Sequence, residues 1–135
     1  MVLIHEREIV KRIPIFVKKG RNQGKKAGMI YFERNKPPYY YIIKNYKSGQ
    51  IYQHPRHIGK LPISTTILDE LKDNNVDRIV FMIVGFDNAG SFYIVVPLSD
   101  YDNAPEENYD DPQRFVYLYN YPRIYPEQGS LKKFM

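Results

Sequence analysis

Five cations crowd nine residues in this chain. The segment KKGRNQGKK sets Lys18, Lys19, Arg21, Lys25 and Lys26 around Gly20 and Gly24, with no apolar side chain among them. Ammonium and guanidinium groups at this density neutralise phosphates, and a glycine-containing loop can follow the backbone of a polyanion. Arg34, Lys36, Lys44, Arg56 and Lys60 follow in sequence and extend the patch if folding gathers them. Tyr39, Tyr40 and Tyr41 sit among these cations. An exposed ring of that trio could stack on an unpaired base, although packing is the plainer use of a tyrosine. The plain reading of the loop itself is a solvated hairpin tip that keeps a tyrosine-rich chain soluble.

Other chemistry is harder to assemble. His54 and His57 have the spacing of a shared metal, but Pro55 breaks helical geometry between them and no third ligand is near in sequence. Six carboxylates, Asp100, Asp102, Glu106, Glu107, Asp110 and Asp111, form an acidic stretch. A calcium loop counted from Asp100 wants an oxygen ligand at the fifth position and Gly at the sixth, where Ala104 and Pro105 stand. The stretch reads as a solvated loop, or as a contact for the basic half of a second chain. A metal-dependent nuclease would want a carboxylate-x-Lys triplet on a strand. The triplet present, Glu70-Leu71-Lys72, falls on a helix, which leaves Asp87 and Asp100 without that partner. No phosphate loop, Ser-His-Asp order or nucleotide fingerprint is visible. The chain has no Cys, which removes disulfides, thiolate metal sites and thiol nucleophiles. No catalytic residue, metal or cofactor is expected.

Charge is distributed unevenly. Residues 1–72 hold fifteen Lys and Arg against five Asp and Glu, and residues 73–135 hold five against ten, so +10 and −5 make up the net +5. That asymmetry points to a polyanion-binding face, to an internal or intersubunit charge match, or to both. A length of 135 residues fits one domain with a real core. No stretch is apolar enough to span a membrane, and charges within MVLIHEREIVKR argue against a secretory signal. A cytoplasmic location is the expectation. The wealth of Lys, Ile and Tyr is similar to hyperthermophile composition, against which the Asn and Gln content runs.

The elements that must position the cations are readable in part. Ser64 is a helix N-cap, Ile63, Ile67, Leu68 and Leu71 form a narrow apolar stripe, and Asn74-Asn75 ends the helix. The run RIVFMIV, Arg78 to Val84, predicts a strand buried on both faces, so a second layer must come from the N-terminal strands or a second copy. Ile9 to Val17 predicts an edge strand because Pro14 has no amide to donate. It returns through a flexible basic loop to a strand at Met29–Glu33. Tyr39 to Tyr46 is a third strand, pairing back on Ile51–Gln53 as a second hairpin. Phe92 to Val96 and Gln113 to Tyr119 complete the strands, with a single turn at Leu98–Tyr101.

Lys60-Leu61-Pro62, then Ile67, Leu68 and Leu71, then Val76-Asp77 and Ile79–Phe81, resembles the core pattern of AbrB-type swapped-hairpin DNA-binding proteins. The turn glycine of that pattern is absent, and about twenty-five residues are covered. The resemblance implies an intertwined dimer that binds DNA through basic strands and loops. The chain is also similar in character to small proteins of archaeal viruses and plasmids. The expectation is a single α+β domain over residues 1–135, mostly antiparallel, with two N-terminal hairpins and one main helix. Its expected role is non-enzymatic nucleic-acid binding, as a homo-oligomer. A subunit self-associating through basic and acidic halves is the alternative, and a metal-dependent nuclease the third reading.

Overall fold

A computed structural model describes residues 9–46, 59–87, 90–107 and 111–126. The protein is α+β, with strands β1 (Ile9–Phe16), β2 (Lys26–Glu33), β3 (Tyr39–Asn45) and β4 (Lys60–Ser64), and helix α1 (Thr65–Asp73). Strands β5 (Arg78–Val84), β6 (Phe92–Pro97), β7 (Glu106–Glu107) and β8 (Gln113–Tyr117) follow. Single 3-10 turns occupy Leu98–Tyr101 and Leu118–Asn120, the second cutting short a strand expected to reach Tyr119. Two sheets form, one in the order β1-β2-β3-β5-β6 and a smaller one in the order β4-β8-β7. Among the described residues no helix is long and apolar enough to cross a membrane.

The helix begins and ends where its sequence says. Ser64 Oγ accepts the amide of Ile67 at 3.2 Å, satisfying one of the first-turn donors. Asn74 donates its side-chain amide back to Glu70 O at 2.9 Å, and Asn75 takes the left-handed conformation at φ 62° that turns the chain toward β5. Ile67, Leu68 and Leu71 are buried against the large sheet. Nine residues cannot hold a helix in water unaided, so this docking sustains it.

β5 is the buried centre. Ile79, Phe81 and Ile83 face the helix and pack with Ile30, Tyr40 and Ile94, while Val80 faces the other way among Tyr39, Tyr93 and Ile124. The layer expected from the N-terminal strands is not where the continuous apolar run put it. Those strands lie beside β5 in the same sheet, because β3 pairs with it in parallel from Tyr39↔Arg78 to Asn45↔Val84. A parallel pair needs a crossover, and β4 and α1 supply it. The second face of β5 is covered by tyrosines and by Ile124, which bridges Tyr93 through two backbone bonds of 2.8 and 2.9 Å. β1 is the edge, with Pro14 opposite Met29 and a bulge at Ile15/Phe16. β3 pairs antiparallel with β2 over Met29–Tyr31, completing the second hairpin step of the meander. The return strand expected at Ile51–Gln53 lies outside the described residues.

Candidate nucleic-acid interface

The basic segment is a closed loop rather than a flexible one. Val17 N donates to Lys25 O and Gly24 N to Val17 O, both at 2.9 Å; Gln23 N reaches Gly20 O at 3.1 Å and Lys25 N reaches Asn22 O at 3.0 Å. Gly20 and Gly24 sit at φ 88° and 86°, a conformation that an L side chain resists, and this explains both glycines. The cations therefore project from a pinned backbone.

Lys19 and Arg21 line a cleft of about 1130 Å³. Its opposite wall is Pro62, Ile63, Ser64 and Ile67, from β4 and the start of α1. Its floor is Ala27, Tyr40 and Ile42, and Asp111 and Gln113 border it from the β8 side. Gly28 brings the floor together: a Cβ there would stand 2.6 Å from Tyr41 O and 2.7 Å from the Tyr40 ring. Lys25 and Lys26 are exposed beside the cleft. Lys19, Arg21, Lys25 and Lys26 have no carboxylate partner among the described residues.

The other expected contacts fall elsewhere. Lys18 belongs to the loop but pairs with Glu70 of α1 at 3.4 Å. Lys36 pairs with Glu33 at 3.5 Å, and it and exposed Arg34 occupy the β2–β3 turn. That turn is at the far end of β2, about 25 Å from the loop at strand rise. Lys44 shares the helix-side face of β3 with Tyr40 and Ile42. It is half-buried, 5.8 Å from the Tyr46 ring, and burial lowers its pKa. Lys60 binds Glu107 at 2.6 Å and lies 4.3 Å from the Phe115 ring. Arg56 lies outside the described residues, as do His54 and His57. Folding thus brings Lys19, Arg21, Lys25 and Lys26 together and spends Lys18, Arg34, Lys36, Lys44 and Lys60 on ion pairs, burial or distance.

The acidic stretch is largely occupied by its own chain. Besides Glu107 on Lys60, Glu106 meets Arg114 at 3.6 Å and Asp102 meets Lys72 at 2.9 Å. Arg114 also donates to Asp102 O at 2.7 Å. Asp100 accepts the Tyr121 hydroxyl at 2.6 Å, and Asp87 accepts Arg123 at 2.8 Å, so the two carboxylates weighed for a nuclease are engaged separately. Among the described residues no group of three or more His, Asp or Glu is placed to hold a metal. Asp110 lies outside them.

Asp111 differs from its neighbours. It is only 8 % exposed, and its Oδ1 has no hydrogen-bond partner among the described residues. By sequence Asp111 is one more carboxylate of a solvated stretch, and no local signal marks it otherwise. Tyr40, fully buried, also carries a hydroxyl without a partner there. Burial, with Glu70 adding to it, pushes this phenol well above its ordinary value, so it stays protonated. Tyr39 is buried on the opposite face, and Tyr41 is half-buried there, 6.2 Å from Tyr31, its phenol pushed up to about 12 by burial. Of the trio, Tyr41 alone keeps a partly open ring. The chain matches no protein-family model, no curated protein and no solved structure.

Proposed function

We propose that the protein is a non-enzymatic nucleic-acid-binding protein that holds phosphates with its β1–β2 loop. The observation that carries this reading is the set Lys19, Arg21, Lys25 and Lys26 on one hydrogen-bonded loop, with no carboxylate against any of them among the described residues. Cations already neutralised by an acid gain little from a phosphate; free ones release the counterions of the polyanion. Pinning the backbone lowers the ordering cost of binding. Self-association through basic and acidic halves has less support, because Glu106, Glu107 and Asp102 already meet cations of their own chain.

Fluorescence anisotropy with a labelled duplex and a labelled single strand across a salt series tests the proposal. Four phosphate contacts give a log–log salt slope of about −3.6 on duplex and about −2.8 on a single strand. From 50 to 200 mM salt the affinity then falls about 150-fold and about 50-fold respectively. Absence of binding at low salt would overturn the reading. Light scattering over the same salt range checks the alternative: a charge-held assembly dissociates as salt rises.

A further inference from the structure

We infer that the cleft beside the loop is a guanine site, its base end formed by Asp111 and its phosphate end by Lys19 and Arg21. The phosphate end rests on the function proposed above; the base end stands on separate observations.

The cleft is electrically two-ended. Lys19 and Arg21 border it from the loop, and Asp111 borders it from the β8 side. A complementary ligand carries an anion and, on the same molecule, a group that donates hydrogen bonds to a carboxylate. Asp111 is more than nine-tenths buried, with Oδ1 lacking any donor among the described residues. Buried polar atoms are normally paired, and one left unpaired is costly, so this carboxylate is suited to donors supplied from outside. Asp111 lines the cleft, and the broad terminal torsion of Asp lets its carboxylate turn to meet a ligand there.

The donor pattern selects the base. A carboxylate offers two acceptors side by side. Guanine presents N1–H and the 2-amino group as adjacent donors on its Watson–Crick edge, matching both oxygens. Adenine sets an acceptor beside its amino group, cytosine does the same, and uracil or thymine flanks one donor with two acceptors. Extruded or unpaired bases are read on this edge. Ile42, Pro62 and Ile67 give the walls apolar surface for a flat ring. A cleft of about 1130 Å³ holds a nucleotide with water to spare.

The base can come from a free nucleotide or from a single strand whose phosphates lie along the loop. Isothermal titration of the full chain with GMP, IMP and AMP tests the base end, and anisotropy with a dT strand containing or lacking one dG separates the two sources. GMP is expected to bind at least tenfold tighter than IMP, which lacks the 2-amino group, and tighter still than AMP. Asp111→Asn is expected to weaken GMP at least tenfold. Should a variant fail to fold by circular dichroism, the wild-type comparison of GMP, IMP and AMP decides alone. A dG strand preferred over plain dT identifies a strand as the source, and GMP selectivity without that preference identifies the free nucleotide; either supports the site. Equal affinity for GMP and AMP, or no GMP binding together with no preference for the dG strand, overturns it, and salt-dependent binding of dT in that case leaves the loop reading standing. Selective GMP binding with no binding of either strand keeps the base site and removes the loop reading.

Discussion

Glu107 reaches Lys60 at 2.6 Å, Asp102 reaches Lys72 at 2.9 Å and Glu106 reaches Arg114 at 3.6 Å, whereas Lys19, Arg21, Lys25 and Lys26 meet no carboxylate among the described residues. The two segments look like mirror images in sequence, one acidic and one basic, yet folding treats them differently. Lys60 and Lys72 both come from the basic half, so folding sets part of the acidic half against it. The polar asymmetry of the sequence is thereby concentrated rather than preserved. Among the described residues, four of the cations left without a carboxylate share one hairpin tip, beside a cleft.

The hardest test of that contrast is to reverse the loop. Lys19→Glu, Arg21→Glu, Lys25→Glu and Lys26→Glu together turn attraction for phosphate into repulsion, and polyanion affinity at 50 mM salt should drop by about a thousandfold or more. The melting temperature should move by only a few degrees, since exposed positions away from packing change stability by about 0.5 kcal/mol or less each. Anisotropy and a thermal melt on one preparation read both. A large loss of stability would mean that the loop cations hold the fold.

Alkali should attack the packed side of the comparison. Tyr39, Tyr40, Tyr41, Tyr46, Tyr93, Tyr101 and Tyr121 all have phenols raised above the ordinary 10.0, with burial the main cause. The unfolded chain releases these protons near pH 10, while the folded chain holds those of Tyr41 and Tyr46 until about 12. In that window the unfolded state binds fewer protons, so stability is whole below pH 10 and is lost above it. For Tyr41 and Tyr46 the loss is at most about 1.4 kcal/mol per pH unit each, reduced where solvent screens a partly open ring. Lys44 acts with the opposite sign, gaining as pH rises toward 10.5, but it is one group against seven. Denaturant melts from pH 8 to 12 should show a steep fall beginning near 10. A flat profile would mean that the hydroxyls reach solvent in the folded state.

A narrower cut separates the anchoring of the acidic segment from the loop. The Tyr101 hydroxyl, at the start of that segment, donates to Leu61 O at 2.8 Å and ties the 3-10 turn to β4. Tyr101→Phe removes one buried bond and should cost about 1–2 kcal/mol in urea unfolding. Polyanion affinity should stay as it was. A parallel loss of binding would show that the two regions are coupled.

How far the sequence could carry these distinctions depended on distance along the chain. Ser64, Asn75 and the run RIVFMIV announce a cap, a left-handed exit and a doubly buried strand, because each is decided by neighbours within a few residues. The loop was legible for the same reason: its cations are contiguous. β4 was not, since Pro62 reads as a lead-in to the helix. It is tolerated because β4 is the edge of the small sheet, where a missing amide costs little. The parallel β3–β5 pairing was hidden too, as propensity says what forms a strand and not which strand it meets. Lys60 and Glu107 are 47 positions apart, so nothing local could show that this cation was already taken. Arg34 and Lys36 were separable in principle: eight residues of β2 put them at the opposite end of the hairpin. Asp111 was beyond reach, because its setting depends on distant segments: Pro112 O accepts the Thr65 amide at 2.9 Å, and the β1–β2 loop lines the cleft that Asp111 borders.

The smallest effect concerns the one loop cation that has been recruited by the packed side. Lys18 meets Glu70 at 3.4 Å, with the two side chains 46 % and 30 % exposed, a pair of the partly solvated kind that adds little to stability. Glu70→Gln frees the ammonium and removes a carboxylate from beside the cleft, so it adds one effective contact to the loop. Affinity for a single strand at 50 mM salt should rise about threefold, with the salt slope steepening by about 0.7. The melting temperature should shift only slightly. If Glu70→Gln instead weakens binding, the Lys18–Glu70 pair is what holds the loop in its binding geometry, and the free cations depend on a paired one.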